Sequence, residues 1–181
     1  DLKSAGLSTV YLHFDGVTKE TNFKLKSDEK AVRNCEDVGL GVVLVPTVIK
    51  GRNDHEIGPI IRYAADHMTA VRGVNFQPIS FTGAASEEDV QKERITIPEL
   101  LEKIEDQTSG IIRKSDFYPV PCVVPFSDLV EAYTGLPQVR FTPHQHCGAA
   151  TYVFNTDKGL VPVNRMVNVD SFFRSIENLA E

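Results

Sequence analysis

A hydrophobic strand, a loop and an amphipathic helix recur three times in the first 110 residues, at a spacing of roughly thirty residues. Strands that alternate with helices at this interval fold through right-handed βαβ crossovers, so the chain is constrained to build a parallel sheet with helices laid on it. Such sheets gather their chemistry at the carboxyl ends of the strands. The search for function therefore narrows to a few short stretches.

The first strand reads Thr9 to Phe14 and ends at Asp15-Gly16. A polar stretch follows, then a helix from about Ser27 to Val38, with Ala31, Val32, Cys35 and Val38 at helical spacing and Gly39 as its stop. The second strand, Gly41 to Ile49, is apolar without alternation, as suits a strand buried on both faces. In the next turn, Gly51 to Asp54, the residue Asn53 stands three before Glu56, the spacing of an N-cap and its reciprocal partner. The helix they open carries Ile57, Ile60, Ile61, Ala64 and Met68 on one face. The third strand is Arg72 to Phe81, closing at Thr82-Gly83, and residues 84–94 read as a polar loop. Thr96 with Glu99 then predicts a capping box for a helix that turns Leu100, Leu101 and Ile104 inward and ends at Gly110.

Three such units do not complete an eight-unit barrel. The predicted fold class is α/β, with three βα units forming part of a parallel-stranded partial (β/α) barrel over residues 1–110. An irregular α+β C-terminal extension occupies 111–181. The chain opens about eight residues before a strand with no helix to cover that edge, which favours a fragment and predicts self-association through the exposed first strand. In the extension, Tyr118 to Pro125 holds too many prolines for an interior strand or helix. A short helix is expected over Ser127–Tyr133, stopped by Gly135. The segment Phe141 to Gly148 leads into apolar Ala149 to Phe154, and Lys158-Gly159 completes a hairpin with it. A final helix aligns Val169, Phe172, Phe173, Ile176 and Leu179.

Composition excludes several classes. With a net charge of −6 and no Lys/Arg stripe, a nucleic-acid surface is disfavoured. No apolar run approaches the ~20 residues of a membrane span, and the N-terminus is not a signal peptide. Three cysteines, an odd number, argue against a disulfide framework and for a reducing compartment, with the cytoplasm as the default.

Two clusters carry candidate chemistry. His144, His146 and Cys147, with Cys122 earlier in the chain, are residue types that ligate zinc or iron, although their spacing matches no compact zinc template. Free cysteine also serves as a small buried hydrophobe or as a nucleophile, and these readings stand beside ligation. The second cluster is positional. His13 and Asp15 end the first strand, Thr47 lies late in the second, and Gln77 and Ser80 lie late in the third, where polar side chains line a pocket or satisfy tight turns. The turn Gly51 to Asp54 could receive an anion on its N–H groups, but capping alone explains Asn53.

Residues 43–58, with Lys50-Gly51-Arg52-Asn53-Asp54-His55-Glu56-Ile57 after a hydrophobic strand, resemble the fifth strand and following turn of radical S-adenosylmethionine enzymes. Val10 to Gly16 resembles the fourth strand and Val74 to Gly83 the sixth. The stretches Gly73–Gly83, Asp116–Cys122 and His146–Phe154 resemble the archaeal branch that includes tetraether lipid synthase and the related methanopterin-ring methylase. The resemblance implies an intact enzyme that binds S-adenosylmethionine and an iron–sulfur (4Fe-4S) cluster and abstracts hydrogen from an unactivated carbon of a lipid or pterin substrate. A membrane-peripheral setting would suit the lipid. It makes His13, Asp15, Thr47, Asn53, Gln77 and Ser80 candidate cofactor contacts, and Cys122, Cys147, His144 and His146 candidate ligands of an auxiliary cluster. The C-x-x-x-C-x-x-C loop of that family is absent, so the chain corresponds to the C-terminal half, lacks its N-terminal partner half and is expected to be inactive alone. Two other readings remain: a non-catalytic binding module with a Cys/His zinc site, and a flavodoxin-like or Rossmann-like domain.

Overall fold

The computed structural model describes residues 2–24, 29–140, 142–144 and 146–180. The chain divides into two compact units, Asp1–Ser109 and Gly110–Glu181. No helix among the described residues is long and apolar enough to cross a membrane.

In the first unit the elements run β1 (Thr9–His13), α1 (Lys19–Lys24), α2 (Glu29–Asp37), β2 (Gly41–Val45), β3 (Thr47–Val48), α3 (Ile57–Asp66), β4 (Val71–Val74), β5 (Gln77–Pro78), α4 (Glu87–Glu93) and α5 (Ile97–Gln107). β1, β2 and β4 form a parallel sheet in that order, with Thr9 opposite Gly41 and His13 opposite Val45. The fold is therefore α/β with three parallel strands, and no barrel closes among the described residues. A sequential order also lacks the reversal that defines a doubly wound sheet.

The second strand was expected to run unbroken from Gly41 to Ile49, but Pro46 divides it. Its ring nitrogen has no hydrogen to donate, which interrupts the ladder without bending the chain out of it. The Pro46 carbonyl still accepts from Gln77 N–H at 2.8 Å. Asn75 N–H to Leu44 O (2.7 Å) and Ile79 N–H to Val48 O (3.0 Å) continue the same row, so β3 and β5 pair in parallel as extensions of β2 and β4.

One face of this sheet is sealed. Phe14, Val42, Leu44 and Val71 from the strands pack with Val32 of α2 and Ile60 of α3, all nearly without exposure, and Leu12, Cys35, Tyr63, Val74 and Phe76 pack against them. Each such side chain contributes about 1.5–3 kcal/mol by leaving water. Strand alternation sends the intervening residues to the other face. There Tyr11, His13, Asn75 and Gln77 are exposed and Val43, Val45, Thr47 and Gly73 are half-buried. Among the described residues, the helices packed on the sheet core, α2 and α3, lie on the sealed face.

Three local expectations change. The predicted start of the first long helix, Ser27, lies outside the described residues, and α2 runs from Glu29 to Asp37. The polar stretch before it contains α1. Residues 84–94 hold α4, capped by the Ser86 hydroxyl, which accepts from Asp89 N–H at 3.1 Å. Being acidic and apolar-poor, α4 offers no periodic stripe to read, and only its cap could have shown it. The capping box of Thr96 and Glu99 forms as expected, and Lys50 and Thr96 together hold the Glu99 carboxyl down to about 2.

Asn53 and Glu56 do not form the predicted cap. Glu56 occupies the N-cap position of α3, but its side chain turns away from the helix into the β1–α1 loop. It is buried, and its carboxylate accepts from Val17 N–H, Thr18 N–H (3.0 Å), the Thr18 hydroxyl (2.5 Å) and the Thr21 hydroxyl. Burial alone would raise its pKa, but the Thr18 and Thr21 hydroxyls and the two N–H groups outweigh that and hold it below the ordinary glutamate value. A Cβ on Gly16 would collide with Thr21 and this carboxylate, so the loop requires glycine there.

At the other end of the unit, Gln107 clamps α5 to the start of α3. Its Oε1 accepts from Gly58 N–H (2.9 Å) and its Nε2 donates to Asp54 O (2.7 Å).

The second unit holds β6 (Tyr118–Pro119), α6 (Val124–Thr134), β7 (Ala149–Ala150), β8 (Val153–Thr156), β9 (Gly159–Pro162) and α7 (Val169–Ala180). The proline-rich stretch is a two-residue edge pairing, Tyr118 with Ala150, followed by a 3-10 turn over Val120–Val123. The expected hairpin forms between β8 and β9. α6 starts three residues earlier than expected, with Pro125 in its first turn. Helices α6 and α7 meet through Phe126, whose ring lies 5.7 Å from both Phe172 and Phe173. Buried Asp116 accepts from Arg113 N–H (2.7 Å), Arg165 Nη2 (2.7 Å) and Asn164 Nδ2 (3.0 Å). Burial alone would raise its pKa, but these donors and the Arg165 charge hold it below the usual carboxylate range.

Two measurements check this account. A Cβ on Gly58 would stand 2.7 Å from the Gln107 carbonyl oxygen. Helix propensity alone makes Gly→Ala stabilising by about 1 kcal/mol, whereas this contact predicts that Gly58→Ala destabilises by about 1–3 kcal/mol in urea unfolding. Because Glu56 has a depressed folded pKa, its contribution is full above the ordinary value of 4.5 and is lost as pH falls through the folded value. Wild-type stability should therefore drop more steeply than that of Glu56→Gln as pH falls below 4.5, with the variant about 1–3 kcal/mol weaker at pH 7. Parallel pH profiles of the two proteins would refute the assignment.

Candidate functional site

The carboxyl ends of the three strands meet in one hydrogen-bonded rim. Where β1 ends, the buried Asp15 carboxylate takes over from the backbone. Its Oδ1 accepts the Thr47 N–H at 2.6 Å, and its Oδ2 lies 2.5 Å from His13 Nε2. Asn53, 1% exposed, completes the knot. Its Nδ2 donates to Asp15 O (2.9 Å) and Thr47 O (2.8 Å), and its Oδ1 accepts from Ile49 N–H (2.8 Å). All three polar positions of the amide are thereby committed to main chain. The sequence signalled the position of Asn53 but not this role.

The predicted residues thus fall into two groups. His13, Asp15, Thr47 and Asn53 are joined directly. Gln77 reaches the same rim through its N–H bond to Pro46 O, with an exposed side chain, and Ser80 is exposed beyond β5. Sequence reading missed Tyr11, Val43, Val45, Gly73 and Asn75, which share the helix-free face. The alternation phase set by Val42 and Leu44 would have identified them.

The turn after β3 is no anion receptor. Gly51 N–H is taken by Asp54 Oδ1 (2.9 Å), and Arg52 and Asn53 N–H turn back to Ile49 O (3.1 and 3.3 Å). The nearby cations are also engaged, Lys50 with Glu99 at 2.8 Å and Arg52 with Glu93.

The Cys/His cluster in the second unit does not assemble. Among the described residues, no group of three or more His, Cys, Asp or Glu side chains converges where it could hold a metal ion. The rings of His144 and His146 lie edge to face at 4.9 Å, His144 Nδ1 accepts from His146 N–H (3.3 Å), and Cys147 is exposed. Cys122 is half-buried, and burial pushes its thiol pKa up, away from the thiolate that ligation needs. These four residues therefore do not fit an iron–sulfur cluster or a zinc ion as arranged. Nor does the shallow cleft of about 490 Å³ in this unit contain any of them. It is lined by charged groups that satisfy one another, with Arg140 against Asp128 (2.6 Å) and Glu131 (3.4 Å).

Comparison with known proteins yields no matching family model. The chain is 45% identical, over 99% of its length, to a 7,8-dihydro-6-hydroxymethylpterin dimethyltransferase from Methanocaldococcus jannaschii, and it spans 37% of that protein's length. This corrects the resemblance drawn from the motifs. Assignment to the radical S-adenosylmethionine branch shared with the lipid synthases gives way to likeness with a methyltransferase whose name specifies a pterin, one of the two substrate classes expected from the motifs. The Lys50–Ile57 turn that suggested the former owes its form to internal hydrogen bonding and α3 initiation.

Proposed function

We propose that this chain supplies one wall of the site at which an enzyme transfers methyl groups from S-adenosylmethionine to a dihydropterin. The observation that carries the reading is the 45% identity to the pterin dimethyltransferase, sustained along 99% of the chain. The geometry suits it. The helix-free sheet face offers Tyr11, Val43, Val45 and the side-chain-free Gly73 to a flat heterocycle, and His13, Thr47, Asn75 and Gln77 edge that surface with polar groups. With Lys50 and Arg52 paired elsewhere, the rim favours a neutral, hydrogen-bonding ring over a phosphate.

In this reading His13, Thr47, Gln77 and Ser80 touch substrate or cofactor, while Asp15 and Asn53 hold them in place. In this reading the three strands are part of a partial (β/α) barrel whose opposite wall lies in the rest of a longer protein, in keeping with the 37% of the relative's length that the chain spans. Each transfer replaces a hydrogen of the pterin by a methyl group, leaves S-adenosylhomocysteine and releases one proton. Hydrogen removal from an unactivated carbon is the finer step suggested for the whole enzyme, and no residue of this chain is assigned to it. Lipid is dropped as a substrate.

The chain has no tryptophan, so pterin fluorescence reports binding without indole interference. Titration of the chain into 6-hydroxymethyl-7,8-dihydropterin should raise its anisotropy to saturation, and Gln77→Ala should weaken binding about tenfold, near 1.4 kcal/mol. A flat titration counts against the proposal, as does equal affinity of the wild type and the Gln77→Ala, Thr47→Val double variant.

A further inference from the structure

We propose that Asp15 locks His13 as the Nε2–H tautomer, so that Nδ1 is a fixed acceptor presented to a ligand N–H or O–H on the helix-free face. The inference deepens the functional reading above and rests on it for the identity of the ligand.

A carboxylate only accepts hydrogen bonds. Asp15 Oδ1 is occupied by Thr47 N–H at 2.6 Å, so Oδ2, 2.5 Å from His13 Nε2, must receive the imidazole proton. In a neutral imidazole the remaining nitrogen then has a lone pair and no hydrogen. No hydrogen bond reaches Nδ1 from the described residues, and 47% of the His13 side chain is exposed, against 3% for Asp15. The carboxylate itself cannot swing away. Its main chain is tied to Asn53 through Asp15 O, and Phe14 N–H remains in the ladder to Val45 O at 3.4 Å. A histidine whose inner nitrogen is anchored by a buried, backbone-fixed carboxylate is preorganised, so little ordering cost remains when a ligand binds it.

Two sources offer the required donor. The amino–lactam edge of a pterin carries N–H groups, and S-adenosylmethionine carries ribose hydroxyls and an ammonium. A phosphate or carboxylate group offers only acceptors and would be refused by Nδ1.

The test is long-range 1H–15N correlation on the uniformly 15N-labelled 181-residue chain at pH 8.5, with the His13 ring identified by its loss in His13→Gln. The expected wild-type pattern is the Nε2–H tautomer. In Asp15→Asn the Thr47 N–H still demands the amide oxygen, so the amide NH2 faces His13 and must drive the proton to Nδ1. The dihydropterin and S-adenosylmethionine are then added separately, with binding followed by calorimetry. One of them should shift the His13 Nδ1 resonance, and Asp15→Asn should weaken that ligand about tenfold or more. A wild-type Nδ1–H tautomer, or a doubly protonated ring, overturns the proposal. If a ligand binds without moving Nδ1, the His13 contact falls and the functional reading survives. If neither ligand binds, both fall. Should Asp15→Asn fail to fold, the wild-type tautomer and the two titrations decide alone.

Discussion

The geometry of the strand ends depends on how main-chain donors and acceptors are satisfied where the ladder stops. Pro46 deprives the central strand of one donor, and β1 ends at His13, opposite Val45, whereas the central strand's extension β3 runs on to Val48. Left unpaired, the buried N–H and C=O groups at this rim would cost about 1–3 kcal/mol each. Side chains supply the missing partners: Asp15 for Thr47 N–H, and Asn53 for Ile49 N–H and two carbonyls. Only an amide serves at position 53, because two of its partners are acceptors and one is a donor. Aspartate would set oxygen against oxygen twice. This knot fixes the directions of Asp15 and Asn53 and, through Asp15, holds the exposed imidazole of His13.

Burial on one side explains how a sheet covered on a single face holds its shape. Parallel sheets are normally covered on both faces, yet here α2 and α3 seal one face only. On the sealed side, burial of Phe14, Val42, Leu44 and Ile60 supplies the hydrophobic drive. The other side leaves Tyr11 70% exposed, with Val43 and Val45 half-covered. The second unit also keeps apolar surface in water, with Tyr133, Val139 and Leu179 each more than 70% exposed.

Legibility followed the physics of each element. Strand and helix alternation in the first 110 residues was plain because buried parallel strands are apolar runs and α3 and α5 carry apolar stripes. Helices α1 and α4 were missed because their sequences are almost wholly polar, so no periodicity marks them. The Asn53–Glu56 spacing was real but its interpretation was not. A capping pattern records only sequence distance, and both side chains found stronger partners across the fold, 35 to 39 positions away in the β1–α1 loop for Glu56. The Cys/His residues were a compositional signal without convergent geometry. Motif likeness pointed to too broad a family for a similar reason, since a Lys-Gly turn after a strand is also what the β3–α3 connection needs for its own hydrogen bonds.

The buried acids bear directly on what the rim can recognise. Asp15, Asp54 and Glu56 are all within or behind it, and each faces donors from the protein: Thr47 N–H and His13 for the first, Gly51 N–H and Lys103 at 2.9 Å for the second, and the 17–21 loop for the third. Their charge is spent inward. In the proposed reading, a ligand at the strand ends meets hydroxyl, carboxamide and imidazole groups, while the exposed cations beside them, Lys50 and Arg52, are already paired with Glu99 and Glu93. Recognition by such groups is directional and weakly dependent on salt, whereas binding to paired surface charges is screened within about 10 Å at 0.1 M salt. Discrimination at this rim then rests on matching donors to acceptors, where one misplaced hydrogen leaves a buried polar atom unpaired and costs more than a lost apolar contact. In the proposed reading, the tautomer of His13 decides which edge of the pterin can face the sheet.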